Sequence, residues 1–194
     1  MRKLLSMLTL LAALVLPGCG YNEFQTKDEQ VKAAWSDVLN NYQRRADLIP
    51  NLVATVKGEA NFEQETLTRV IEARARATSI QATPELVNDP EAFQKFQQAQ
   101  GQLTGALSRL MVVAEQYPEL RATENFQQLQ AQLSETEDQI QITRRVYNDT
   151  VQTYNTLIQQ FPAVLVANAF KFEPRQFFDA PKESEATPEV SFAQ

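Results

Sequence analysis

Arg45, Arg74, Glu137 and Arg144 are charged residues that fall on or beside otherwise apolar helical positions. Their types allow ion pairing. Arg45 interrupts an apolar stripe between Tyr42 and Ile49, and Arg74 lies near the seam of a second such stripe. A guanidinium in such a slot needs a carboxylate, and Glu137 is the natural partner. Glu137 and Arg144 are seven residues apart, so they share one side of their helix on successive double turns. Such a polar layer fixes the register of otherwise interchangeable helices, or it lines a ligand or partner groove. Register devices are the best-attested use of polar interruptions, which favours the structural role. Reactive chemistry is poorly supplied. The chain has no histidine, so a serine or cysteine nucleophile lacks its commonest base. There is no Gly-x-Ser-x-Gly elbow or glycine-rich phosphate loop, and the Glu-x-x-His di-iron ligands of helical bundles cannot be assembled. Glu135, Glu137 and Asp138 could formally meet Mg or Ca, but nothing sets a coordination number, and they read as a solvated acidic face. A non-enzymatic protein without cofactor or metal is expected.

Cys19 is the single cysteine, and it follows Leu16-Pro17-Gly18 at the end of an apolar run that opens with Arg2 and Lys3. A basic start, a short apolar stretch and a small-residue stop make a secretory leader. The apolar stretch is short of the ~20 residues that a membrane-crossing helix needs. Leu-Pro-Gly-Cys resembles a bacterial lipobox, in which the thiol is acylated and the chain is cut just before it. Residues 1–18 are then a lipoprotein signal, and Cys19 carries the acyl chains that hold the protein to a membrane. Each buried methylene contributes about 0.8 kcal/mol, and one chain alone binds marginally. An uncleaved N-terminal anchor and a plain secretory signal remain the alternatives.

Losing Arg2 and Lys3 with the leader takes the formal charge from −6 to −8. An acidic chain without a basic cluster excludes nucleic acid as a natural partner. With Cys19 acylated no disulfide is available, so stability must come from packing. Only five glycines occur and no period-two strand is visible, which points to long helices.

The periodicity predicts four of them. Val31, Trp35, Val38, Tyr42, Ile49, Leu52 and Val56 step by threes and fours along a first helix, about Asp28 to Lys57. Pro50 should kink it. Residues 19–27 then form a short tether. Asn61 and Gln64 read as a capping box for a second helix with Leu67, Val70, Ile71 and Ala77 inward. Asp89-Pro90-Glu91 opens a third, through Phe93, Phe96, Leu103, Leu107, Leu110, Ala114 and Tyr117. Phe126, Leu133, Ile140, Tyr147, Tyr154 and Phe161 recur every seven residues along a fourth, which Pro162 ends. Tyr147-Asn148 and Tyr154-Asn155 repeat one pattern, and helix-to-helix hydrogen bonding is their ordinary role. The expected fold is all-α, a long, coiled-coil-like antiparallel four-helix bundle over 28–178, with a disordered acidic tail at 179–194. The heptads would also fit a homo-oligomeric coiled coil.

Longer strings go beyond composition. Asn41 through Val53 with Val56-Lys57-Gly58 resembles the hallmark of the LemA family. Glu115 through Leu120, Phe126 through Leu129, Thr136-Glu137, Arg144 through Asn148, Tyr154-Asn155 and Phe161-Pro162 follow in the right order. The resemblance covers about 28–178. It implies an N-terminal membrane segment and a long helical bundle outside the cytoplasm, and no settled activity. The expectation is an interaction module or scaffold, lipid-anchored in the bacterial cell envelope, whose partners are the membrane and another envelope protein. An accessory subunit of an envelope protease or transporter, or a ligand-binding bundle using the Arg/Glu layer, is the alternative.

Overall fold

The computed structural model describes residues 2–59 and 62–179, with side chains from Tyr21 onward. Six α-helices and one 3₁₀ turn occur among them: α1 (Arg2–Lys57), α2 (Gln64–Ser79), the turn Pro84–Asn88, α3 (Pro90–Ala114), α4 (Pro118–Ala122), α5 (Glu124–Gln159) and α6 (Ala163–Phe170). No strand is present among the described residues. The architecture is an all-α bundle. Arg45 on α1 meets Glu137 on α5 at 2.8 Å, while Trp35, earlier on α1, meets Tyr147, later on α5. The two long helices therefore run antiparallel. Arg74 of α2 reaches back to Ala46 of α1, and Phe93 of α3 lies beside Trp35. Four helices thus alternate in direction.

The apolar stripes explain the packing. All seven predicted positions of α1 are buried, from Val31 to Val56. So are Phe126, Leu133, Ile140, Tyr147 and Tyr154 of α5. Asp89 caps α3 as expected, its Oδ1 accepting the N–H groups of Glu91 and Ala92 at 3.0 and 3.1 Å, which satisfies two orphan donors of the first turn. The core divides into two apolar clusters. One holds Phe24, Trp35, Tyr42, Phe93, Phe96, Tyr147 and Tyr154; the other holds Ile49, Leu52, Leu67, Leu103, Leu110, Phe126 and Leu133.

Four expectations change. The first helix does not begin at Asp28: residues 21–27 are helical, and Phe24 is fully buried. Burying that ring outweighs the freedom of a loose tether. Helix α1 runs through Pro50 to Lys57, the end expected for it. Ile71, placed inward above, is exposed, as is Phe161. Phe161 is in phase with the heptads, but α5 ends at Gln159, because a residue before proline is driven out of helical geometry. Finally, α6 and an extended strap, residues 172–179, complete the half of the bundle around Trp35. Lys171 makes the turn between them at φ 58, with the Phe172 N–H donating to Ala167 O at 3.0 Å, a left-handed helix stop. The Asn61 capping box, and the expected tail after Asp179, lie outside the described residues.

Candidate functional site

Where the two apolar clusters meet, three helices contribute polar side chains at one level. Arg45 (α1), Gln100 (α3) and Thr136 (α5) are all buried, Arg45 to 1% exposure. Arg45 Nη1 donates to Glu137 Oε1 and to Thr104 Oγ1, both at 2.8 Å. Its Nη2 donates to the Gln100 carboxamide oxygen at 2.5 Å. The guanidinium also lies 5.1 Å from the Tyr42 ring centre. A single side chain on α1 thereby ties down α3 and α5. Its Nε finds no protein acceptor.

The predicted residues do not all join this layer. Arg74 bonds the Ala46 carbonyl through Nε at 2.8 Å, one residue past Arg45, tying α2 to α1. Arg144 lies 4.6 Å from the Phe178 ring centre and donates to the Asp179 carbonyl at 3.1 Å. A cavity of about 70 Å³ lies between Arg45, Glu137, Gln100, Gln141 and Arg144. It is wide enough for a few waters and well short of the ~300 Å³ of small-molecule sites. Of the three acidic residues considered above, Glu135 faces Arg44 at 3.7 Å and Glu137 faces Arg45. Among the described residues no group of three or more His, Cys, Asp or Glu is placed to hold a metal. Cys19 lies within α1, its side chain outside those described.

The Tyr-Asn repeat does something else than join helices. Asn155 accepts the Arg175 N–H at 2.9 Å and donates to the Arg175 carbonyl at 3.0 Å. Asn148 does the same to Phe178, at the same two distances. The Tyr154 hydroxyl donates to Glu173 O, and the Tyr147 hydroxyl donates to Gln176 O. Seven helical residues rise about 10.5 Å, and three extended residues span about 10 Å. One heptad of α5 thus advances in step with three residues of strap. The spacing of the repeat was legible; its partner was not, because an extended segment has no period to read.

Aromatic packing and one ion pair fasten the strap further. Phe178 fills a pocket of Trp35, Phe93 and Tyr147. Arg175 pairs with Asp28 at 2.6 Å, and Lys32 meets the other carboxylate oxygen at 2.9 Å. Burial is the largest single influence on Asp28 and opposes its ionisation, but Arg175 and Lys32 together overcome it and hold the pKa below the ordinary value. A lowered folded-state pKa stabilises above the unfolded value, about 3.9, and that contribution is lost as pH falls through the folded value. Urea midpoints of the wild type and Asp28→Asn should therefore differ at pH 7 and converge as the pH is lowered past about 4. A difference independent of pH would contradict this.

Arg45, Glu137, Asn148 and Asn155 all fall within the strings that resemble the LemA hallmark. The profile of the LemA family matches residues 34–192. The chain belongs to the LemA family. Among its relatives, magnetosome protein MamQ 2 of Paramagnetospirillum magneticum is 27% identical over 190 residues, covering 90% of this chain and 69% of the relative. Magnetosome protein MamQ of Magnetospirillum gryphiswaldense is 26% identical over the same length, covering 90% and 70%. Protein LemA of Metamycoplasma hominis is 26% identical over 140 residues, covering 72% of this chain and 60% of its own. In this LemA-family chain the first matched string contains Arg45, and the later strings contain Glu137, Asn148 and Asn155.

Proposed function

We propose that this LemA-family chain is a membrane-tethered scaffold of the bacterial cell envelope, held by acyl chains on Cys19 and working by binding another envelope protein rather than by catalysis. The carrying observation is that α1 runs unbroken from Arg2 to Lys57. The helix from Cys19 to the buried Phe24 is part of that run, so whatever holds Cys19 holds the core without a flexible link. The buried polar groups are occupied in tying helices and strap together, which supports a structural use for them. A metabolite-binding bundle fits less well, because the cavity beside Arg45 is so small. The LemA-family match and the relatives named for the magnetosome support a membrane-associated helical protein.

Crosslinking in membranes, read by mass spectrometry, tests this with the wild type and Cys19→Ser. The wild type should carry the acyl mass at its N-terminus, lack residues 1–18, and yield a reproducible partner, a second copy of itself included. Cys19→Ser should lose the acyl mass and keep the leader. Equal N-terminal masses in the two would overturn lipid attachment. A strictly monomeric wild type with no reproducible crosslink would overturn the scaffold.

A further inference from the structure

The end of the bundle from which the leader departs carries its largest exposed apolar side chains. Phe161 is 82% exposed, Leu165 62% and Phe170 58%. Leu165 and Phe170 belong to α6, the short helix Ala163–Phe170, and Phe161 lies at the turn leading into it. Their position in the molecule is set by ring contacts. Tyr21 lies 4.9 Å from Phe170 and 6.0 Å from Phe172, and Phe24 lies 5.1 Å from Phe172. α6 is therefore level with Tyr21 on α1. Tyr21 is two residues beyond Cys19, about 3 Å of helix rise, and Phe24 is about 7.5 Å beyond it. The headgroup layer on one side of a bilayer is roughly 5–8 Å deep. A bundle joined to its anchor by rigid helix, with Phe24 already in the core, has no slack to stand clear of that layer.

We infer that the end of the bundle bearing Phe161, Leu165 and Phe170 docks on the membrane and enters the headgroup region beside the anchor. The inference rests on the tethering proposed above, and it names the surface on which the tethered bundle sits. A lipid surface fits the chemistry of this end. Exposed aliphatic and aromatic side chains gain by entering the acyl boundary. Tyr21 is half-buried, its ring on Phe170 and its hydroxyl accepting from Gln25 at 3.0 Å, the amphipathic arrangement typical of aromatic residues at membrane interfaces. Lys171 follows Phe170 directly, and its long stem allows the ammonium to stay in water while the face is buried. The chain as a whole is acidic, so attraction to anionic lipid is not the driving force. Neutral lipid should suffice and salt should matter little. Other exposed apolar residues, such as Ile142 and Val146, lie well along α5, away from this end.

The test uses the acylated protein extracted from membranes and reconstituted in phosphatidylcholine vesicles whose acyl chains are brominated near the headgroup. Leu165→Trp and Phe170→Trp are compared with the wild type. Trp35 is the native indole, fully buried and about 24 Å of helix rise from Cys19. It supplies an internal reference beyond the reach of the bromines. In both variants the added emission should be blue-shifted and lost in brominated vesicles, at low and at high salt, while wild-type emission stays unchanged. A chain that floats with the vesicles but keeps water-like, unquenched emission at either position overturns the docking face and leaves the tether standing. A chain that stays in the aqueous fraction overturns the tether, and the docking face with it.

Discussion

Replacing Phe178 by alanine should cost about 3–5 kcal/mol, the range for losing a buried phenylalanine. Phe178 is 4% exposed. Its ring centre is 5.0 Å from Phe93, 5.4 Å from Tyr147 and 5.9 Å from Trp35, and the Arg144 guanidinium covers it at 4.6 Å. By comparison, each hydrogen bond between the Tyr-Asn repeat and the strap contributes on the order of 1 kcal/mol net. Packing of one ring therefore outweighs any single one of them. The loss has a ceiling, because a strap that has already come away no longer feels the mutation; the measured value cannot exceed the docking energy of the strap. Two readouts separate the regimes. Urea unfolding gives the total, and hydrogen exchange at the amides of Arg175 and Phe178, which donate to Asn155 and Asn148, reports the strap alone. Their protection should fall in Phe178→Ala well before that of the α1 and α5 amides. The emission of Trp35, the only tryptophan, should shift to the red as its neighbour leaves. A loss below about 0.5 kcal/mol, ordinary for surface substitutions, with the strap amides still protected, would falsify the strap as a structural element.

The strap also marks the limit of what periodicity can reveal. The stripes of α1 and α5 are visible because every third or fourth residue faces the same partner, and each predicted position from Val31 to Val56 is buried. Arg45 was legible for the same reason, as a charge in an apolar slot. Phe24 carries a signal too: it stands seven residues before Val31, in phase with the stripe, although the polar residues around it read as a tether. Asn148 and Asn155 were visible as a repeat but not as a binding device, because their partner, Glu173 to Asp179, is extended and aperiodic. The exposure of Phe161 follows from Pro162 and not from the heptad, a case where backbone geometry overrides a side-chain pattern. Bundle and seam are thus properties of spacing, whereas strap, α6 and docking face arise where regular spacing stops.

Removing Glu137 should be nearly as damaging as removing Phe178, by a different mechanism. Glu137→Ala leaves the Arg45 charge buried without its counterion, a situation that costs about 3–5 kcal/mol. The lower end is expected, because the Glu137 side chain is 27% exposed and water can reach the vacated space. The double variant Arg45→Leu with Glu137→Leu should recover most of that loss, since apolar replacement of buried ion pairs is often neutral or stabilising by about 1–4 kcal/mol. Full recovery is opposed by Gln100, buried to 7% exposure, whose carboxamide oxygen would lose its donor at a cost of about 1–3 kcal/mol. Adding Gln100→Leu should lift stability above the double variant and toward or past the wild type. Urea unfolding of the four proteins measures these steps. The layer's purpose then follows from what else changes. In the triple variant the two apolar clusters merge into one seam, and no buried ion pair marks which level of α1 faces which level of α5. If the layer sets register, the variant should be stable yet heterogeneous, with more than one hydrodynamic species and a shallower unfolding transition. If it remains a single species with wild-type cooperativity, Arg45 and Glu137 are dispensable to the fold, and their place beside a polar cavity has to be explained by what that cavity holds.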